Sequence, residues 1–260
     1  MTLVVKLGGS VITEKDRPET LDGAALDRAA DAVADHVADR PVDDPGVVVV
    51  HGGGSFGHHH ADERGVSTAT GTHDANAVAA VHGAMKTLNQ FVLARLHERD
   101  VPAVPVHPLS AGARTDAGGD GAGREALDLS LSAPRTLLAE GFVPVLHGDG
   151  VATAGEGVTV VSGDELVVAL AEGLDADRVG LCSTVPGVLD DEGAVVPEVA
   201  AFDDVADALG ASDATDVTGG MAAKVRELLA LEAPASVFAL DGLGAFFDGE
   251  TPGTTVRGGD

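Results

Sequence analysis

VVVVHGGGSFGH, residues 47–58, sets four valines in a row before a histidine, three glycines and a helix-compatible stretch. Four β-branched residues without polar alternation fit a strand buried on both faces, as the strands of a parallel sheet are. Glycines at its carboxyl end, followed by a helix starting at Ser55, let the backbone approach an anion and aim the positive end of a helix dipole at it. The same order occurs at the start of the chain, where LVVKL (3–7) runs into Gly8, Gly9 and Ser10. A third cluster, DVTGGMAAKVREL (216–228), allows Thr218 to cap a helix whose first turn holds Gly219 and Gly220, with Lys224 about a turn and a half further in.

Further apolar runs at 101–106, 142–146, 158–161, 178–182 and 236–240 read as strands. Alanine-rich stretches at 23–40, 74–99, 132–141, 163–173, 199–210 and 219–231 read as helices between them. Val78, Val81, Met85, Leu88, Val92 and Leu96 recur at three- and four-residue spacing, so 74–99 carries one buried stripe. Strands alternating with helices predict an open α/β/α sandwich with a mostly parallel central sheet. Glycine-rich motifs fall on both sides of residue 165. Two closely joined lobes in one compact unit are therefore expected, 1–165 and 166–260. The stretches 111–125 and 150–157, rich in Gly, Asp and Thr, read as loops, the first as a mobile or hairpin insertion.

Asp and Glu number 42 against 16 Lys and Arg, a formal charge of -26. That balance argues against nucleic acid and anionic membranes as partners. With Arg outnumbering Lys twelve to four, it fits a protein of a salt-loving organism, where ions screen self-repulsion. The first strand is too short and too charged for a targeting or spanning segment, which points to the cytoplasm. The single cysteine, Cys182, sits in the apolar run VGLCSTV and reads as a small core residue.

Lysine scarcity sharpens the reading of those that remain, Lys6, Lys15, Lys86 and Lys224. Neither the G-x-x-x-x-G-K-[ST] loop nor a G-x-G-x-x-G after strand one is present, and the protein-kinase motif set is missing. What fits is phosphoryl transfer with positive charge gathered from separate segments, Lys6 and Lys15 neutralising the moving phosphoryl group. In SGDE (162–165), Ser162 and Glu165 match a capping box, which leaves Asp164 either to stiffen the first turn or to orient a lysine across a cleft. His58 follows the second glycine loop, where its ring can reach the same anion. His59, His60 and Asp62 beside it also permit a metal reading, disfavoured because adjacent helical side chains diverge.

KLGGS, HGGGSFGH, SGD and TGGMAAK at these separations resemble the amino acid kinase family over essentially the whole chain. KLGGSVITEK, HGGGSFGH and AMKTLN are most similar to members whose acceptor is itself a phosphate monoester, isopentenyl phosphate. HGGGSFGH is also similar to the fosfomycin kinases. The resemblance implies transfer from ATP, with Mg2+ carried mainly on the ATP phosphates, and no dedicated protein metal site. It implies that Lys6, Gly8, Gly9 and Ser10 meet the nucleotide and that Lys15 stabilises the transition state. Gly53 and Gly54 would lie where acceptor and nucleotide phosphates meet, and His58 would hold the acceptor phosphate. Gly157 would be a substrate-side glycine and Asp164 the organiser of the lysines, while Gly219 and Lys224 would hold nucleotide phosphate. Relatives commonly carry an acidic TDVDG loop where this chain has STVPG (183–187), so Thr184 stands on the nucleotide side without a carboxylate. An isoprenoid tail needs an apolar pocket, for which Val78, His82, Met85 and Leu88 are available. The resemblance also implies a homodimer. A nucleotide-binding regulatory domain without turnover is the reading from another class, and the joint presence of Lys6, Lys15, His58 and Lys224 tells against it.

Overall fold

The computed structural model describes residues 1–39, 46–115, 127–210 and 220–258. Its strands, in chain order, are β1 (Thr2–Leu7), β2 (Gly46–His51), β3 (Ala103–Pro105), β4 (Gly112–Arg114), β5 (Leu127–Leu129), β6 (Val143–His147), β7 (Asp149–Thr153), β8 (Gly157–Val161), β9 (Arg178–Ser183), β10 (Glu198–Val199), β11 (Ala235–Ala239) and β12 (Thr254–Val256). The helices are α1 (Gly9–Ile12), α2 (Gly23–Asp39), α3 (Gly54–Arg64), α4 (Ala75–His97), α5 (Pro108–Ala111), α6 (Ser132–Ala139), α7 (Gly163–Gly173), α8 (Ala206–Gly210), α9 (Gly220–Leu229) and α10 (Leu243–Phe247).

Every residue of β1 and β2 is buried, as their unbroken apolar runs require of inner parallel strands. They lie in the middle of an eight-stranded sheet ordered β10-β12-β11-β9-β1-β2-β6-β3, in which only the β11–β12 pair is antiparallel. Alternation along the strands divides the core in two. Leu3, Val5 and Leu7 of β1, with Val47 and Val49 of β2, meet Leu26, Val33, Leu88 and Val92 from α2 and α4 on one face. Val4, Val48 and Val50 meet Leu166, Leu170, Val225 and Leu228 from α7 and α9 on the other. Lys6 shares the parity of Val4, so it leaves β1 toward α7 and α9.

A separate four-stranded sheet, β5-β4-β7-β8, stands beside the first. Two expectations change here. The 150–157 stretch is not all loop, because β7 runs through Thr153 and pairs antiparallel with β8. Consequently the 158–161 run belongs to the smaller sheet rather than the central one. The expected hairpin exists between β4 and β5, which pair antiparallel, while residues 116–126 lie outside the described residues. The helix expected over 199–210 is reduced to a 3-10 turn at Phe202–Asp204 and α8. The cause is local: the Asp204 carboxylate accepts from the Ala200 and Ala201 amides, 3.0 and 2.8 Å away, and caps the turn there. Cys182 is buried in β9, where burial pushes its thiol up to about 12. Among the described residues no helix is long and apolar enough to cross a membrane.

Candidate active site

Three charged side chains from three elements meet at the carboxyl edge of the central sheet. Lys6 Nζ lies 2.6 Å from Asp164 Oδ1, and Lys224 Nζ lies 3.6 Å from Asp164 Oδ2. Lys6 reaches that point because Gly163 has no side chain: a Cβ there would stand 3.0 Å from Lys6 Cε. Asp164 is held by a completed capping box, in which Ser162 Oγ accepts from the Glu165 amide and Glu165 accepts from the Ser162 amide. Glu165 is anchored in turn by Arg114 of the small sheet, at 2.7 Å. Burial draws the Lys6 ammonium below its ordinary range, and Asp164 restores only part of that. Burial alone would raise the Asp164 carboxyl, but the two ammonium groups outweigh it and hold the group below the usual carboxylate range.

The glycine loops close around this cluster by touching each other. A Cβ on Gly9 would overlap the Gly54 nitrogen and stand 2.6 Å from Gly54 Cα, and one on Gly52 would stand 2.6 Å from the Gly9 nitrogen. Gly54 has φ +49°, a left-handed conformation that glycine adopts without strain. Thr13 stitches the two loops, its hydroxyl donating to the Gly9 carbonyl at 2.8 Å and accepting from the Ser55 amide at 3.0 Å. Gly8 donates to the Cys182 carbonyl at 2.9 Å, which ties the first loop to the end of β9. Gly148 faces both remaining loops, its Cβ position 3.6 Å from the Gly163 nitrogen and 3.9 Å from the Gly53 nitrogen. Loops after β1, β2 and β6 and the first turn of α7 therefore line one basin.

Lys15, Ser10 and Thr184 are exposed, Lys15 beyond α1 and Thr184 at the end of β9. His58 is exposed in the second turn of α3, its Cδ2 3.4 Å from the Cβ position of Gly53. Its neighbours turn elsewhere, His59 toward Glu63 at 3.6 Å and His60 toward Glu19 at 2.9 Å. Helix α3 starts at Gly54, one residue before the expected Ser55, whose hydroxyl bonds the backbone of Thr20 instead of capping. Gly157, at φ +84°, lines a cleft of about 530 Å³ with Val78, Ala79, His82, Leu109 and Val158. Met85 and Leu88, expected on the same wall, are core residues: Met85 is 1% exposed, with its sulfur against Gly57, and Leu88 lies in the sheet–helix core. Thr218 and Gly219 lie outside the described residues.

The sequence model of the amino acid kinase family matches residues 1–233, which takes in every element of this basin. The chain belongs to the amino acid kinase family. It is 64% identical over 259 residues to the isopentenyl phosphate kinase of Haloferax volcanii, covering 99% of this chain and 100% of that one. The isopentenyl phosphate kinase of Methanothermobacter thermautotrophicus is 33% identical over 242 residues, covering 88% of this chain and 86% of the relative. Among solved structures, an X-ray structure of isopentenyl phosphate kinase superposes with a TM-score of 0.80 at 26% identity, over 99% of this chain and 100% of that chain.

In this amino acid kinase family member the loops rest on residues that sequence reasoning passed over. His51 and His147 end β2 and β6, pair in register, and stack with ring centroids 5.4 Å apart. Each directs Nδ1 at the carbonyl of the glycine that follows it, Gly52 at 3.1 Å and Gly148 at 2.9 Å. Burial pushes the His51 imidazolium down to about 4 and that of His147 well below its ordinary value, so both rings are neutral at pH 7. One ring proton each, spent on those carbonyls, leaves both Nε2 atoms as acceptors. His107 Nδ1 donates to that of His147 at 2.8 Å. The structure sets Asn89 Oδ1 3.1 Å from His51 Nε2; turning that amide over makes its nitrogen the donor to the ring and gives the buried Nδ2 a partner. A histidine directly before glycine in HGGG and HGDG was the one signal available in the sequence.

Proposed function

We propose that the chain transfers the γ-phosphoryl group of ATP to isopentenyl phosphate, yielding isopentenyl diphosphate and ADP. The observation that carries this reading is a chain of contacts: Gly148 faces Gly53 and Gly163 of the basin, and Asp149 beside it bonds His82 and the Leu109 amide of a cleft walled largely by Val78, Ala79, Leu109 and Val158. Extensive identity to a curated isopentenyl phosphate kinase supports the same acceptor. Five buried carbons are worth about 0.8 kcal/mol each at most, enough to favour an isoprenoid tail over a bare phosphate. A fosfomycin-type acceptor, smaller and more polar, leaves that wall unused.

In this reading Gly9, Ser10 and Gly54 offer backbone amides to the nucleotide phosphates, with Lys6, Gly219 and Lys224, while Gly8, its amide bonded to the Cys182 carbonyl, gives the loop room to approach them. Thr184 stands on the nucleotide side. Lys15 follows charge onto the moving phosphoryl group, and Asp164 keeps the lysines apart and oriented. Gly53 and His58 hold the acceptor phosphate, Gly157 borders its tail, and Met85 supports the floor beneath. An acceptor phosphate oxygen bonds to the γ-phosphorus as the bond to the β,γ-bridging oxygen breaks, and that oxygen leaves on ADP. With a second pKa of about 6 the acceptor is largely dianionic at neutral pH, so no strong base is required. Magnesium carried on the nucleotide supplies further charge neutralisation between its phosphates. Residues 1–165 form the acceptor-binding and phosphate-loop lobe and 166–260 the nucleotide-binding lobe of a cytoplasmic homodimer's protomer.

The test is ADP release in concentrated KCl with Mg-ATP and, separately, isopentenyl phosphate, dimethylallyl phosphate, fosfomycin, uridylate and glutamate. Turnover with isopentenyl phosphate is expected, lost by at least about a hundredfold in Lys15→Ala and with a raised acceptor KM in His58→Ala. Tight ATP binding without turnover of any acceptor would refute the assignment.

A further inference from the structure

His82 of α4 lines the acceptor cleft, and its Nδ1 lies 2.9 and 3.0 Å from the two carboxylate oxygens of Asp149. The Asp149 side chain is fully buried and its other partners, the Gly150 amide at 2.8 Å and the Leu109 amide at 3.4 Å, are donors too. With these donors converging on the carboxyl oxygens, the His82 proton sits on Nδ1 and Nε2 lies on the far side of the ring. Asp149 follows Gly148 directly, and Gly148 faces the Gly53 and Gly163 amides. Met85, one turn beyond His82 on the same helix, abuts Gly57 of α3. His82 therefore stands where the apolar wall gives way to the phosphate loops. An imidazole tied to a buried carboxylate has no purpose in a cleft that recognises only hydrocarbon, because burying it there without a ligand costs desolvation.

We propose that His82, oriented by Asp149, is a second acceptor-binding histidine, donating from Nε2 to the phosphate of isopentenyl phosphate alongside His58. Between the Asp149 carboxylate and a phosphate dianion the ring meets an anion at each nitrogen and makes two charge-assisted hydrogen bonds. Asp149 is a positioning residue that touches the acceptor only through His82. The inference rests on the acceptor assignment made above.

The experiment measures KM and kcat for isopentenyl phosphate, KM for ATP, and the inhibition constant of methyl phosphate, which has no tail to fill the cleft. His82→Phe, which keeps the ring shape without a donor, should raise KM for isopentenyl phosphate about ten- to a hundredfold and weaken methyl phosphate by a similar factor, with KM for ATP unchanged. His82→Gln should recover part of both losses, and Asp149→Asn should shift both in the same direction by less. Val78→Ala, a change in the wall alone, should affect isopentenyl phosphate and leave methyl phosphate as it was. An unchanged acceptor KM in His82→Phe, or a loss confined to isopentenyl phosphate, would make the ring a mere tail wall and overturn the proposal while the acceptor assignment stood. No turnover of isopentenyl phosphate by the unaltered enzyme would overturn both. Melting curves identify a variant that fails to fold.

Discussion

Take away the carboxylate of Asp164 and Lys6, only 7% exposed, faces Lys224 with only the weaker pull of Glu227 to offset it. Breaking a buried pair from one side costs about 3–5 kcal/mol. Asp164→Ala should therefore lose stability on that order in urea titrations as well as activity. Lys15→Ala should separate the two, because an exposed side chain contributes about 0.5 kcal/mol or less to stability. Its urea midpoint should match the unaltered chain while its turnover collapses, and a matching loss of stability would place Lys15 in the framework instead. His51 adds a pH signature. Its folded value of about 4 lies below the unfolded value of about 6.5, so the unfolded chain binds more protons between them. The stability it contributes is complete above pH 6.5 and falls as pH drops toward 4, by about 3 kcal/mol. Unfolding free energy measured from pH 7 to 4 should show this slope, and His51→Gln should flatten it. At this scale the charged residues were legible because lysine is rare and each stands near glycine. The face of the sheet that Lys6 chooses was not legible, since a strand residue's parity has no meaning until its neighbours are known. Nor were His51, Asn89 and His147, whose partners lie 38 and 40 residues away in the chain for the bonds that matter.

Helices and strands carry a second set of consequences. The loops after β1 and β2 meet backbone to backbone at Gly9 and Gly54, and neither side can yield as a side-chain end could. Gly9→Ala should cost about 3 kcal/mol or more and abolish activity. Gly83, exposed on α4 with nothing within 4 Å of its Cβ position, is the counter-example. Alanine there should raise stability by up to about 1 kcal/mol, read as a higher melting temperature, because helix interior glycine is entropically costly. Reading the sequence assigned the glycines of both loops to phosphate approach. The structure adds a second requirement on the same atoms, which no single-segment argument can reach. Long periodic helices such as α4 and apolar strands such as β1, β2, β6 and β9 were legible from pattern alone. β4, β5, β10 and β12 span three residues or fewer and leave no periodicity to read. β7 begins DGVAT, where Asp149 and Gly150 imitate a turn although the aspartate is buried for His82.

For the whole molecule, a formal charge of -26 on 260 residues means that repulsion works against the compact state at low ionic strength. Raising KCl from 0.1 to 2 M shortens the screening length from about 10 Å to about 2 Å and should raise the melting temperature steadily. A melting temperature indifferent to salt would show that the carboxylates are too widely spaced to matter. Sheet order was the feature least legible in the sequence, because it is decided by contacts between segments far apart. β1 is the sharpest case. It is the first strand of the chain yet lies inside the sheet, with β2 on one side and β9 on the other, and the Thr2 amide bonds Asp177 across 175 residues. On a ribosome adding about 5–20 residues per second, the second edge of β1 must wait on the order of ten seconds after β2 has emerged. Throughout that interval the nascent chain carries its future centre as an open, apolar edge of the kind that recruits foreign strands. Lys6, on that strand, thus waits for β9, far downstream in the chain, before it reaches its final surroundings.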